Sequence, residues 1–120
     1  MAKYLILIYG PESDAQATPE QWDWMMQAHG RFAQAVDQQG GKILGGEALL
    51  PTATATSVRN DGQAVTGGPF VDTKDALGGF YLVEATDPEQ ALAFAKRCPA
   101  PGGGVELRPI MDTSGGAPSA

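Results

Sequence analysis

The chain has 120 residues and a net charge of −6, with 42% apolar and 18% charged residues. This length holds one domain and one core, and a chain so short buries only about two-thirds of its unfolded surface. The acidic balance excludes a non-specific nucleic-acid binder, which needs a basic surface to release counterions, and argues against an anionic membrane surface. A single cysteine, Cys98, excludes a disulfide framework and a cysteine-rich zinc site, and no cofactor motif appears. A cytoplasmic setting is expected. The opening Met1–Ile8 is too short for a signal peptide core or a membrane span.

Lys3–Tyr9, KYLILIY, is a continuous apolar run stopped by Gly10-Pro11 and is predicted to be a buried strand. A polar loop, Gly10–Ala17, follows. Thr18-Pro19-Glu20-Gln21 predicts a helix start: Thr18 as cap, Pro19 in the first helical position, Gln21 closing a capping box. Trp22, Met25, Met26, His29, Phe32, Ala33 and Val36 then recur on one helical face, up to the Gly40-Gly41 stop. Trp22 and Trp24 are expected in the core and at an interface.

Lys42–Leu50 reads as a strand interrupted by Gly45-Gly46 and ended by Pro51. Ala53–Arg59 and Gln63–Thr66 read as a hairpin around Asn60-Asp61-Gly62. Gly67–Leu77 is a loop with room for one helical turn, and Gly78–Glu84 is a strand. Asp87-Pro88 starts a second helix whose apolar stripe is Ala91, Phe94, Ala95 and Cys98. Val105–Ile110 is a last strand, with Pro109 suiting an edge. Residues 1–111 form the domain, and 112–120, without apolar pattern, are expected to be a disordered tail.

Two strand–helix–strand halves with an inserted hairpin predict an α+β, ferredoxin-like sandwich. Both helices would cover one sheet face. The other face, rich in Leu, Ile, Val and Tyr, would be covered by a second copy, sheet against sheet, as a homodimer.

His29 is the only histidine, and histidine is the side chain that titrates nearest neutral pH. On the apolar stripe it reads either as a core-edge residue or as a general acid or base in a helix–sheet cleft. Glu12 and Asp14, after the first strand, are either solvated or orient that imidazole. In Gly67–Asp75, GGPFVDTKD, a glycine pair, proline and aromatic fix a bend before three charges. Either Phe70 plugs the core and Asp72 caps a helical turn, or the segment rims a pocket with Asp72 and Lys74 facing a polar ligand. Cys98 reads as a small buried hydrophobe and Arg108 as a structural ion-pair residue.

The segment GGPFVDTKDALGGFYLVEA, together with KYLILIYG, GGKILGGEALLPTATATSVR, DPEQALAFAKRCP and VELRP, resembles the DGPF branch of the YCII-related family. That branch carries Asp-Gly-Pro-Phe-Ala-Glu-Thr-Lys-Glu before a Gly-Gly-aromatic strand. Gly68, Pro69, Phe70, Thr73 and Lys74 match; Asp72 and Asp75 stand where glutamate is usual; Gly67 replaces the leading aspartate. If that aspartate is an obligatory catalytic acid, this chain is inactive; if it is only a turn former, Gly67 suits the bend. The resemblance implies a ferredoxin-like fold assembled as a dimeric α/β barrel, with a cleft in each subunit. It also implies a histidine-plus-acid site that His29 would supply, and, for the DGPF branch, a link to extracytoplasmic-function sigma factors.

Three functions are therefore expected to compete. The first is a ligand-binding or regulatory module, possible partners being a small molecule and a sigma factor. The alternative is a cofactor-free enzyme of hydrolase, lyase or isomerase type acting on a small polar or aromatic metabolite: His29 as general acid/base, Asp72 or Glu12 orienting it, and Phe70, Lys74 and Glu12 as the substrate-binding candidates. The third is a structural dimer with a vestigial cleft.

Overall fold

The computed structural model describes residues 1–12, 17–59, 62 and 65–116. Among these residues, six strands and two α-helices run in the order β1 (Ala2–Gly10), α1 (Pro19–Gln38), β2 (Lys42–Ala48), β3 (Thr56–Val58), β4 (Val65–Gly67), β5 (Ala76–Ala85), α2 (Pro88–Arg97) and β6 (Gly104–Pro109). The main sheet has the order β2-β5-β1-β6, and every neighbouring pair is antiparallel. Each helix therefore connects two strands that have a third strand between them. This α+β arrangement agrees with the expected ferredoxin-like sandwich. β3 and β4 form a separate two-stranded ribbon between β2 and β5.

Both helix starts follow the expected chemistry. Gln21 donates its backbone N–H to Thr18 Oγ1 at 3.2 Å, and Thr18 N–H returns to Gln21 Oε1 at 2.8 Å, so two otherwise orphaned donors are satisfied. Asp87 Oδ1 accepts from Gln90 N–H at 2.7 Å. α1 ends at Gly40, whose φ of +86° is the left-handed conformation that glycine reaches without steric cost.

Strand alternation then sorts the sheet into two faces. Tyr4, Ile6, Val83 and Ala85 join Phe32 and Val36 of α1 and Ala91, Phe94 and Ala95 of α2 in one buried cluster, with Cys98 at its edge. Phe94, Ile6, Val36 and Val83 are its largest fully buried side chains, and burial of each contributes roughly 1.5–3 kcal/mol. Leu5 pairs with Leu82 and Leu7 with Phe80 on the opposite face, half-buried and away from both helices. Pro109 lies on the edge strand β6, and Arg108 pairs with Glu106 at 3.1 Å on the surface.

Several local expectations are corrected. The stretch expected to be one strand, Ala53–Arg59, begins as a 3-10 turn at Thr52–Thr54, and only Thr56–Val58 pairs as a strand. Thr54 Oγ1 donates back to Pro51 O at 2.6 Å, the side-chain competition that favours turns over strands. No helical turn forms between Gly68 and Asp75, so Asp72 caps nothing, and Phe70 is exposed rather than a core plug. No residue in the first two turns of α1 is buried; Trp22 and Trp24 are half-exposed, while Ala28 takes the core position. Asn60, Asp61 and Asp14, and the end of the expected tail at 117–120, lie outside the described residues. Asp112–Gly116 includes a turn in which Ser114 N–H donates to Asp112 Oδ1 at 3.0 Å.

Candidate active or ligand site between α1 and β5

His29 and Tyr81 reach each other from α1 and β5. His29 follows Met25 and Ala28 on the sheet-facing side of α1, three residues before buried Phe32. Tyr81 is in register between Phe80 and Leu82 and points to the helical face with Val83. His29 Nδ1 lies 2.7 Å from the Tyr81 hydroxyl. The Tyr81 ring packs at 4.8 Å from Phe32 and 5.7 Å from His29, both tilted, so the pair is braced by an aromatic contact as well as a hydrogen bond.

Local irregularity in β2 makes room for this pair. The register with β5 shifts between Ile43 and Gly45, a bulge that turns Leu44 outward. Gly46 then stands opposite Tyr81. A Cβ on Gly46 would lie 2.7 Å from Tyr81 Cδ1 and 2.9 Å from the Phe80 carbonyl oxygen. Only glycine lets the phenol ring lie against the strand and reach the helix.

Partial burial sets the charge state of the pair. Desolvation holds His29 below the ordinary 6.5 of a free imidazole, so the ring is neutral at pH 7. Desolvation first, and a smaller electrostatic influence of the Cys98 side chain, push the Tyr81 phenol above its ordinary value. One His29 nitrogen is then a donor and the other an acceptor, and Tyr81 binds Nδ1 by donating or accepting according to the tautomer. Nε2 makes no hydrogen bond among the described residues and is the ring atom left for a ligand. Cys98 is neutral: burial pushes its thiol up to about 12.

The other candidates are elsewhere. Glu12 is held by Thr52: Oε1 accepts its backbone N–H at 2.9 Å and Oε2 its hydroxyl at 2.7 Å, which ties the end of β1 to the base of the β3–β4 ribbon. Phe70 is exposed with the Arg59 guanidinium 4.4 Å from its ring centre. Asp72 and Lys74 are exposed and make no hydrogen bond or ion pair among the described residues. The position beside Nδ1 where a carboxylate was expected is taken by the Tyr81 phenol. Sequence reasoning missed Tyr81 because it placed that residue only as one member of an apolar strand. The sequence holds only part of the signal, a polar-tipped aromatic two residues before Val83 and so on the same strand face; that Gly46 stands opposite it is known only from the register of β2 on β5.

A cavity of about 600 Å³ opens one turn before His29, lined by Pro11, Glu20, Trp22, Trp24, Met25 and Pro101 among others. It does not include Tyr81 or His29, and Met25 is the residue nearest in sequence to the pair. Among the described residues no group of His, Cys, Asp and Glu could hold a metal ion, and no helix is long and apolar enough to cross a membrane.

Comparison with known proteins adds two findings. The chain is 30% identical over 112 residues to an uncharacterized protein of Rhizobium meliloti (strain 1021), covering 89% of this chain and 90% of that protein. The family model described as the YCII-related domain matches residues 2–114, from the first residue of β1 to the turn after β6. With nearly its whole length matched, the chain belongs to the YCII-related domain family.

Proposed function

We propose that the protein is a homodimeric small-molecule-binding or regulatory module whose ligand hydrogen-bonds to the His29–Tyr81 pair. The 2.7 Å contact between a neutral imidazole and a phenol carries this reading. A carboxylate beside His29 would stabilise the imidazolium that acid–base shuttling produces; a phenol does so weakly, and desolvation opposes it further. Two neutral groups at a fixed spacing, able to exchange donor and acceptor roles with the tautomer, suit recognition of a small hydroxylated or carbonyl compound. The apolar sheet face of Leu5, Leu7, Phe80 and Leu82 supports a second copy packed there, which would give the dimeric α/β barrel. A sigma factor as the regulatory partner rests on the DGPF resemblance.

The enzymatic reading has one observation in its favour. An imidazole held below its ordinary pKa is a free base at pH 7, ready to take a proton from a bound substrate. A cofactor-free hydrolase, lyase or isomerase would use it so.

Thermal-shift screening of small hydroxy and carbonyl metabolites against wild type, His29→Ala and Tyr81→Phe tests the site. A ligand that stabilises wild type by mass action should lose most of that effect in both variants. Equal stabilisation of all three proteins by every hit would remove the pair from the binding site. Turnover of the hit compound, abolished in His29→Ala, would replace binding with catalysis.

A further inference from the structure

We infer that the β3–β4 ribbon and the Gly68–Asp75 loop pack on a second copy of this chain, so that the Gly-Pro-Phe segment is an interface element. This rests on the homodimer proposed above and adds a contact distinct from the sheet face.

The chain exposes 8490 Å². A self-contained protein of 12.5 kDa exposes about 6,200 Å², so the surplus is roughly 2,300 Å². A standard interface buries about 800 Å² per partner, and obligate dimers bury more. The radius of gyration, 16.2 Å, likewise exceeds the about 13.6 Å of a compact chain of this length.

Part of that surplus is apolar and lies on the ribbon and its flanks. Leu50 is 77% exposed, Val71 67% and Phe70 60%, and Leu49, Val58 and Val65 are exposed as well. None belongs to the core cluster. Val58 and Val65 are cross-strand partners and so share one face of the ribbon. Scattered exposed apolar residues are ordinary, but six in one segment and its ribbon are not. A two-stranded ribbon of three residue pairs is also too short to be stable without something to pack on.

Charge points to a second copy as that partner. Among the described residues the ribbon and loop carry both signs, Arg59 and Lys74 as cations and Asp72 and Asp75 as anions. Both signs on one patch suit a two-fold contact, in which the patch meets itself reversed. A strongly acidic or basic partner would be matched by one sign.

Light scattering of the eluting full-length protein, over a dilution series, tests the inference on wild type, Leu50→Lys, Val71→Lys and the sheet-face variant Leu7→Lys. Wild type should be a dimer, and each ribbon variant should raise the dimer dissociation constant by about tenfold or more. Ribbon variants that dimerise like wild type, while Leu7→Lys does not, would overturn this inference and leave the homodimer standing. A monomeric wild type would overturn both. Val71→Cys gives a second reading, since Cys98 is buried and reacts slowly. Its maleimide labelling should accelerate as the dimer is diluted apart; a rate independent of concentration would overturn the inference.

Discussion

His29 and Tyr81, separated by 52 residues in sequence, meet at 2.7 Å across the gap between α1 and β5. Their contact makes the helix–sheet spacing part of the site, because any shift of α1 over the sheet changes the hydrogen bond. Acid should weaken the fold through this pair. Above the free imidazole value of 6.5, folded and unfolded His29 are both neutral. As pH falls below it, the unfolded ring takes a proton more readily than the desolvated folded one, so the unfolded state gains protons first and stability drops. Denaturant midpoints of wild type and His29→Gln between pH 7.5 and 5 should show a steeper loss for wild type, in a window beginning about pH 6.5.

Tyr81→Phe should leave the sheet intact and remove the partner of Nδ1. The expected cost is about 1 kcal/mol, that of one part-buried hydrogen bond. Nitrogen chemical shifts of the His29 ring read the effect directly: whichever tautomer Tyr81 favours in wild type should lose that preference in the variant.

Gly46→Ala should cost more than its single methyl suggests. The new Cβ meets the Phe80 carbonyl, which is backbone and cannot swing away, and the Tyr81 ring, which can move only by leaving His29. We expect a loss of about 1–3 kcal/mol in chemical denaturation, together with a disturbed His29 titration. A Gly45→Ala control, where a Cβ meets nothing within 4 Å, should be milder on both counts.

Glu12→Ala should loosen the foot of the ribbon rather than the core. Thr52 loses the carboxylate that binds both its amide and its hydroxyl. Hydrogen exchange at Thr52 should accelerate, while exchange at Ile6 and Val83 at the sheet centre stays as slow as in wild type.

The Cys98 thiol, pushed up to about 12 and buried, should resist a disulfide reagent at pH 8 in the folded protein and react fully once unfolded.

Much of the fold was legible because it rests on local chemistry. Thr18-Pro19-Glu20-Gln21 and Asp87-Pro88 name their own helix starts, Gly40 names the first helix end, and KYLILIY is an inner strand of the sheet, buried at Tyr4 and Ile6 on the helical face and half-buried on the other. The Ala53–Arg59 alternation misled because threonine hydroxyls can bond their own backbone and bend the chain. Trp22 misled because helical periodicity says which face is apolar but not where along its length the sheet lies beneath it. His29 was visible as a lone titratable group on an apolar stripe. Tyr81 was not, since its partnership depends on a register between β2 and β5 that local sequence does not state. The expected charged partners share that limit: Glu12 found Thr52, 40 positions away, instead of the imidazole.

The strand order has a consequence for how the chain must be made. β1 is synthesised first, yet its two neighbours, Ala76–Ala85 and Gly104–Pro109, come from the last third of the sequence or close to it. Until they leave the ribosome, a nine-residue strand rich in leucine and isoleucine has no edge to pair with. Such non-local closure is slow and leaves a sticky strand exposed meanwhile. Nascent chains stalled before Gly104 would keep one side of β1 open, so β6, a modest six-residue edge strand, is what completes the sheet and takes the newborn chain out of reach of aggregation.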